Sequence, residues 1–124
     1  MLGSGAITPF NTTTDVPKFL QTIARFYAHE SCGQCTPCRE GTGYVDRVLD
    51  KVIDGKGRDG DIDLIKDLAD SYEWTTICAF APGAAWPVQS FIAKFREHFQ
   101  RYIDQNPDHA SARDLVTQRP GAFW

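Results

Sequence analysis

The sequence predicts an all-α fold, a four-helix bundle with a cysteine-rich loop, a short extended N-terminal segment and a flexible C-terminal tail. Three observations support this prediction. Apolar residues recur at helical spacing in four segments, no segment alternates convincingly with the period of a strand, and the connections between the four segments are short. Amphipathic helices with short connections bury their apolar stripes against one another, which makes a bundle.

The composition is that of one ordinary globular domain. The chain has 124 residues, of which 42% are hydrophobic and 23% are charged. The net charge of −3 gives no excess of basic residues of the kind that binds a nucleic acid. No apolar run approaches the roughly 18 residues of a membrane span, and the first ten residues lack the regions of a signal peptide. We therefore expect a reducing cytosol, where clustered cysteines are more often metal-binding or catalytic than disulfide-bonded.

The first helix is predicted to follow the stretch "NTTTD". Thr14 can serve as its N-cap, and Pro17 falls in its first turn, where a missing N–H is harmless. The helix is expected to stop near Glu30, because Gly33 follows. Its apolar stripe is Val16, Phe19, Leu20, Ile23 and Tyr27 or Phe26.

The second helix is predicted to start at Pro37, with Thr36 as N-cap, because proline is favoured at the first helical position. The glycine-rich stretch "DGKGRDG" ends it. Its stripe is Val45, Val48, Leu49, Val52 and Ile53.

Two further helices complete the predicted bundle. The third begins near Asp61, and its stripe is Ile62, Ile65, Leu68, Ala69 and Tyr72. The fourth is expected to open between Ala84 and Pro87, and its stripe is Val88, Phe91, Ile92, Phe95, Phe99 and Tyr102. From Asn106 onward the chain is polar and is broken by two prolines, which favours a mobile tail.

The cysteines form the most informative pattern. They are Cys32, Cys35 and Cys38 in "CGQCTPC", and Cys78 forty positions later. On an uninterrupted helix the first three sulfurs would drift around the cylinder, but Gly33 and Pro37 indicate a loop that curls into the second helix. Such a loop lets three thiolates point at one centre, and the fourth can complete the set from the loop before the fourth helix. Four thiolates are what a [4Fe–4S] cube requires, one for each iron.

Three other uses of the cysteines compete with the cube. Structural zinc also takes four cysteines, but usually as two separated pairs rather than three plus one. A disulfide framework needs an oxidising compartment, and inert thiols are a poor explanation for three cysteines in seven residues. The spacing favours one [4Fe–4S] cube, while a zinc-binding or metal-free interaction domain stays open as the alternative.

The surroundings of the cysteines suggest how a cluster would be tuned. The N-terminus of the second helix should face the anionic cluster, because free N–H groups there favour anions. Arg39 either raises the reduction potential or lies on the solvated surface. Trp74 and Trp86 flank Cys78, and packing in the core would let them also keep solvent from the cluster.

Two stretches carry a resemblance to a known family. "HESCGQCTPCREG", followed by "TTICAFAPGAAWPV", closely resembles the C-terminal iron–sulfur domain of the NADH-binding flavoprotein subunit of respiratory complex I. Similar modules occur in NAD-reducing hydrogenases and NAD-dependent formate dehydrogenases. The resemblance runs from about Leu2 to Tyr102. It departs at Ala81 and Pro82, where the family has Gly followed by Asp or Glu.

The resemblance implies a fold, a ligand set and domain limits. The family fold is a helical bundle, and the family's four cluster ligands match Cys32, Cys35, Cys38 and Cys78. "LGSGAI" resembles the last strand of a preceding β-grasp domain. The expected organisation is therefore an extended remnant at 1–12, a helical [4Fe–4S]-binding domain at 13–104 and a tail at 105–124.

The resemblance also implies a function. One [4Fe–4S] cluster would relay single electrons from FMN, reduced by NADH on an upstream domain that this chain lacks, to further clusters of the complex. The expected partners are the flavin- and NADH-binding domain and the large iron–sulfur subunit, with no nucleic acid and no direct membrane insertion. The expected location is cytoplasmic, peripheral to the inner face of the membrane.

Large aromatic residues on the first and fourth helices predict a partner surface. A bundle this small buries only part of such a set, so some of them should form an exposed patch. We expect Phe26 or Phe99 on the surface near the cluster loops. The set is Phe19, Phe26, Tyr27, Phe91, Phe95, Phe99 and Tyr102.

Overall fold

The computed structural model describes residues 5–106, and within them the protein is an all-α bundle without strands. The helices are α1 (Val16–Glu30), α2 (Thr36–Lys51), α3 (Asp61–Tyr72) and α4 (Phe80–Asp104). Helix α1 packs on α2 and α4, and α3 packs on the same two helices, so the four close into a ring of neighbours. This confirms the predicted four-helix bundle. Most of the predicted tail lies outside the described residues, and the domain limits stay predictions.

Helix α1 begins where the sequence predicts, but its N-cap is not the predicted residue. Asp15 is the N-cap, and its carboxylate accepts a hydrogen bond from the backbone N–H of Lys18 at 3.3 Å. The expectation of Thr14 was wrong, because its backbone N–H and its hydroxyl are both directed to Asn11 in the preceding turn. Pro17 in the first turn and the end at Glu30 are confirmed.

Helix α2 begins one residue earlier than predicted. Cys35 rather than Thr36 is the N-cap, and its carbonyl accepts the N–H of Arg39 at 2.9 Å, which closes the first turn. After Lys51 the chain continues through a π-helical turn, Val52–Lys56. Gly55 adopts φ 73° in this turn, a conformation that L side chains rarely adopt, so the predicted glycine-rich stop is confirmed.

Helix α4 begins at Phe80, so the expected opening between Ala84 and Pro87 was wrong. Two prolines could mark the start, and Pro82 is the one in the first turn, where its missing N–H costs nothing. Pro87 lies inside the helix. The buried face around it, which includes Ala84 and Val88, holds the helix together despite the lost hydrogen bond.

The core lies along the centre of the bundle and receives side chains from every helix. Its largest fully buried members include Leu20, Leu49, Ile65, Tyr72 and Phe99. Phe26 is 58% exposed, which confirms the expectation that either Phe26 or Phe99 lies on the surface, and Phe99 is 0% exposed. No helix among the described residues has the length and hydropathy needed to cross a membrane.

Candidate metal centre

The structure brings the four cysteines to one cavity at one end of the bundle. Cys32 lies in the loop between α1 and α2, Cys35 caps α2, Cys38 lies in the first turn of α2, and Cys78 precedes α4. The cavity measures about 240 Å³. Its lining is Glu30, Ser31, Cys32, Cys35, Cys38, Thr76, Cys78 and Phe80.

The loop that carries Cys32 curls for a reason visible in the sequence. Gly33 adopts φ 80°, which turns the chain back toward α2. The guanidinium of Arg39 donates a hydrogen bond from Nη1 to the carbonyl of Gly33 at 2.7 Å, and its Nε donates to the carboxylate of Glu40 at 3.0 Å. Arg39 therefore fastens the loop, and Glu40 compensates its charge.

The four thiols differ in their exposure to solvent. Cys38 is buried at 7% exposure, Cys35 is half-buried, and Cys32 and Cys78 are exposed. The site therefore has an inner side against the bundle and an outer side that faces solvent.

Aromatic residues line the approach to the cavity from α1. Phe80 lines the cavity, its ring lies 5.4 Å from that of Tyr27, and Tyr27 lies 5.5 Å from the exposed Phe26. Trp74 packs at 6.1 Å against Trp86 but is 72% exposed, so the expectation of core packing was wrong for Trp74. Neither tryptophan lines the cavity, whereas Phe80 does.

Hydroxyl groups surround the cysteines and have distinct partners. Ser31 Oγ lies 3.4 Å from Cys38 Sγ. Thr42 Oγ1 donates to the carbonyl of Cys38 at 2.8 Å, and Thr76 Oγ1 donates to the carbonyl of Cys78 at 3.2 Å. One hydroxyl therefore contacts a sulfur, and the other two fix the backbone of the residues that carry sulfurs.

The electrostatics of the cavity favour an anionic group on two sides. The N-termini of α2 and α4 both adjoin it, and neither has a side-chain cap that satisfies its first N–H groups. Free N–H groups and the helix dipole attract negative charge at such ends. The N-terminus of α2 thus lies beside the cavity that the four cysteines line, and its contact with a cluster stays a prediction. Glu30, whose side chain is half exposed at the C-terminus of α1, opposes this effect.

The donor set and the cavity fit a [4Fe–4S] cube. Among residues 5–106, no three His, Cys, Asp or Glu side chains converge closely enough to hold a single metal ion. The four thiols instead line one cavity of about 240 Å³ from several sides. A cube fits that arrangement, because it binds each thiolate through a different iron.

Several lining residues escaped the sequence reasoning. Ser31 and Thr76 carry no spacing signal, because a single hydroxyl near a cysteine is common. Phe80 was missed because the start of α4 was placed after it. The signal that could have found Phe80 is Pro82, two positions later, at the favoured end of a helix.

Comparisons with known proteins identify the family of the chain. Residues 18–102 match the family described as the NADH-ubiquinone oxidoreductase-F iron–sulfur binding region. The chain is 39% identical over 117 residues to an F subunit of NADH-quinone oxidoreductase in Rhizobium meliloti (strain 1021), covering 94% of this chain and 27% of that protein. It is 40% identical over 104 residues to NADH dehydrogenase [ubiquinone] flavoprotein 1, mitochondrial, of Dictyostelium discoideum, covering 84% and 22%.

A solved structure shares the fold. The NAD+-reducing [NiFe]-hydrogenase in its H2-reduced state superposes with a TM-score of 0.71 and 28% identity, covering 90% of this chain and 21% of that chain. The chain therefore spans about a quarter of the length of the relatives it matches. The cofactor of this region is a [4Fe–4S] cluster. The chain belongs to the family of the NADH-ubiquinone oxidoreductase-F iron–sulfur binding region.

Proposed function

We propose that Cys32, Cys35, Cys38 and Cys78 ligate one [4Fe–4S] cluster, through which this module relays single electrons from FMN to further iron–sulfur clusters of an NADH dehydrogenase complex. The observation that carries the proposal is the single cavity on which all four thiols open, although they come from two separate segments of the chain. When bound, such a cluster takes up and releases electrons one at a time.

The residues of the chain have separate tasks in this proposal. The thiolates hold the irons, Cys38 from the buried side and Cys32 from the exposed side. Arg39 keeps the loop in its ligating shape through the carbonyl of Gly33. Phe80 excludes water from the wall next to α4. The uncapped N-termini of α2 and α4 stabilise the negative charge of the ligated cluster.

The proposed partners are the flavin- and NADH-binding domain and the large iron–sulfur subunit of the complex. Exposed apolar side chains lie on α1 and on the segment that carries Cys78: Phe26 at 58% exposure, Trp74 at 72% and Ile77 at 84%. Such side chains are suited to a protein interface. We place the complex at the cytoplasmic face of the membrane, with this module peripheral to it. The same module in an NAD-reducing hydrogenase is the second candidate, because such an enzyme shares the fold.

Single cysteine substitutions test the ligand assignment. We expect Cys78→Ala to abolish or convert the cluster as surely as Cys35→Ala, because every iron of the cube needs its thiolate. The measurements are iron and sulfide content per chain and the electron paramagnetic resonance (EPR) spectrum after anaerobic reconstitution. The matched control is Thr22→Ala, an exposed hydroxyl on α1 that bonds only to its own helix at Lys18.

Two outcomes would contradict the proposal. A full [4Fe–4S] spectrum in Cys78→Ala would remove Cys78 from the ligand set. Stoichiometric zinc in place of iron and sulfide, in protein made with both metals supplied, would instead support a structural metal domain.

A further inference from the structure

Ser31 occupies a defined position between the first helix and the cluster loop. It is the C-cap of α1, and its backbone N–H donates to the carbonyl of Tyr27 at 3.1 Å. Its side chain is part of the cavity wall and places Oγ 3.4 Å from Cys38 Sγ. The end of one helix thus presents a hydroxyl to the sulfur in the first turn of the next.

The direction of this hydrogen bond follows from the chemistry of ligation. In the free thiol either atom can donate. A cysteine that ligates iron is a thiolate, which has no proton and can only accept. The hydroxyl of Ser31 must then be the donor and Cys38 Sγ the acceptor.

A donor at this sulfur acts on the reduction potential of the cluster. Hydrogen bonds to cluster sulfurs are one of the factors that set the potential, together with net charge and solvent exposure. Reduction adds negative charge that spreads onto the sulfurs, so a donor stabilises the reduced state more than the oxidised state. Cys38 is 7% exposed, and a hydrogen bond is electrostatically stronger away from water.

The other hydroxyls of the site do not compete for this role. Thr76 lines the same cavity, but its hydroxyl donates to the carbonyl of Cys78. Thr42 is buried, and its hydroxyl donates to the carbonyl of Cys38. A hydroxyl proton bound to a carbonyl is not available to a sulfur, so Thr76 provides a natural comparison for Ser31.

We propose that Ser31 sets the reduction potential of the [4Fe–4S] cluster by donating a hydrogen bond to the thiolate of Cys38. The proposal rests on the ligand assignment made above. It concerns the reduction potential of the cluster and not whether the cluster binds. Ser31 is therefore not a ligand but acts through Cys38.

Redox titration of the reconstituted 124-residue chain, followed by EPR of the reduced cluster, tests the proposal. We expect Ser31→Ala to lower the equilibrium constant for reduction by up to about tenfold, which for one electron is about 59 mV toward more negative potential. Ser31→Thr keeps the hydroxyl and should restore a potential close to that of the parent. Thr76→Val, which removes a hydroxyl from the same cavity, should shift the potential less than Ser31→Ala.

Two results would overturn the inference. In one, Ser31→Ala holds a full cluster at the potential of the parent. In the other, Thr76→Val shifts the potential as far as Ser31→Ala, so that the polarity of the cavity, and not the bond to sulfur, sets the potential.

A second measurement begins with the parent chain. In D2O, electron–nuclear double resonance of the reduced cluster should detect an exchangeable deuteron close to it, and its absence would overturn the inference. Backbone N–H groups of α2 and α4 also exchange, so the deuteron of Ser31 is the part of the signal that Ser31→Thr keeps and Ser31→Ala loses. Failure of the ligand assignment has a different signature, because the parent would then hold no four-iron cluster or Cys38→Ala would keep one.

Discussion

Gly41 is a residue whose missing side chain makes room for a neighbouring helix. A Cβ built on Gly41 in α2 would lie 2.4 Å from Cδ1 of Tyr72 in α3, and the ring cannot move away because Tyr72 is 1% exposed. We expect Gly41→Ala to lower the free energy of unfolding by about 1–3 kcal/mol, the usual cost of overpacking a core. Urea unfolding followed by circular dichroism measures this change.

Gly43 provides the matched control two residues along the same helix. Its added Cβ would meet nothing closer than Arg47 Nη2 at 3.9 Å. Gly43→Ala should therefore raise the free energy of unfolding by about 0.5–1 kcal/mol, because alanine is the better helix former. If both substitutions shifted the stability in the same direction, contact with Tyr72 would not be what decides the residue at position 41.

At the scale of elements, charged residues join α1 to α2. Arg25 on α1 reaches two carboxylates of α2, with Nη2 at 2.5 Å from Asp50 Oδ1 and Nε at 3.6 Å from Asp46 Oδ1. Gln21 also donates to Asp50. Asp46 Oδ1 is buried and has no hydrogen-bond partner among the described residues. The interface therefore satisfies Asp50 well and Asp46 poorly.

The environment of Asp46 predicts a pH-dependent stability. Burial raises the pKa of Asp46, the neighbouring carboxylate of Asp50 raises it further, and Arg25 and Arg47 oppose the shift. A carboxyl group whose pKa is higher in the folded state than its ordinary 3.8 binds its proton more readily when folded. Its contribution to stability is therefore most favourable at low pH and declines as pH rises through the folded pKa.

Asp46→Asn tests this prediction. The neutral amide should raise the free energy of unfolding at pH 7 by about 0.5–1.5 kcal/mol, and the gain should shrink as pH falls toward 3.8. Urea unfolding at several pH values measures it, and Asp67→Asn on the exposed face of α3 is the control. A less stable Asp46→Asn at pH 7 would show that the ion pair with Arg25 outweighs burial.

A ring cluster attaches the N-terminal segment to the bundle. Phe10 precedes α1, and its ring centroid lies within 6.2 Å of those of Phe19, Phe91 and Phe95. These contacts cover apolar side chains of α1 and α4 that would otherwise meet water. Phe10 therefore anchors its own end of the segment to the bundle, whereas Ile7, earlier in the segment, is 90% exposed.

For the whole molecule, the core and the cysteine site are separate sources of stability. Every helix contributes fully buried apolar residues, and Cys38 is the one cysteine that belongs to this core. Small zinc domains, by contrast, lack such a core and unfold without their metal. The bundle should therefore outlast its cluster.

Removal of the cluster tests this separation. We expect the apo-protein to keep most of its far-UV helical signal, because the packed stripes do not depend on iron. Amide hydrogen exchange should rise first in residues 31–38 and around Cys78, where the ligands are released. The holo-protein under the same conditions is the control, and a random-coil spectrum of the apo-protein would contradict the prediction.

The sequence alone predicted the four helices and identified the four cysteines as candidate ligands. Apolar residues at spacing 3.6 define which face of a helix must be buried, so four stripes predicted four packed helices. Three cysteines at intervals of three, interrupted by Gly33 and Pro37, indicated a loop that folds around one centre. Both are local patterns, which a linear sequence records directly.

Only the tertiary structure decided which side chains are buried, where α4 begins and which groups contact the cysteines, because each of these depends on the neighbouring helices. Both Phe26 and Phe99 were candidates for an exposed position, and the packed bundle decided that Phe99 faces its centre while Phe26 is exposed. Pro82 and Pro87 could both start a helix, and burial of the residues between them placed the start at Phe80. The contact of Ser31 with Cys38 joins the end of one helix to the start of the next. Its geometry exists only once both helices are packed, because the direction of each side chain is set by the helices around it.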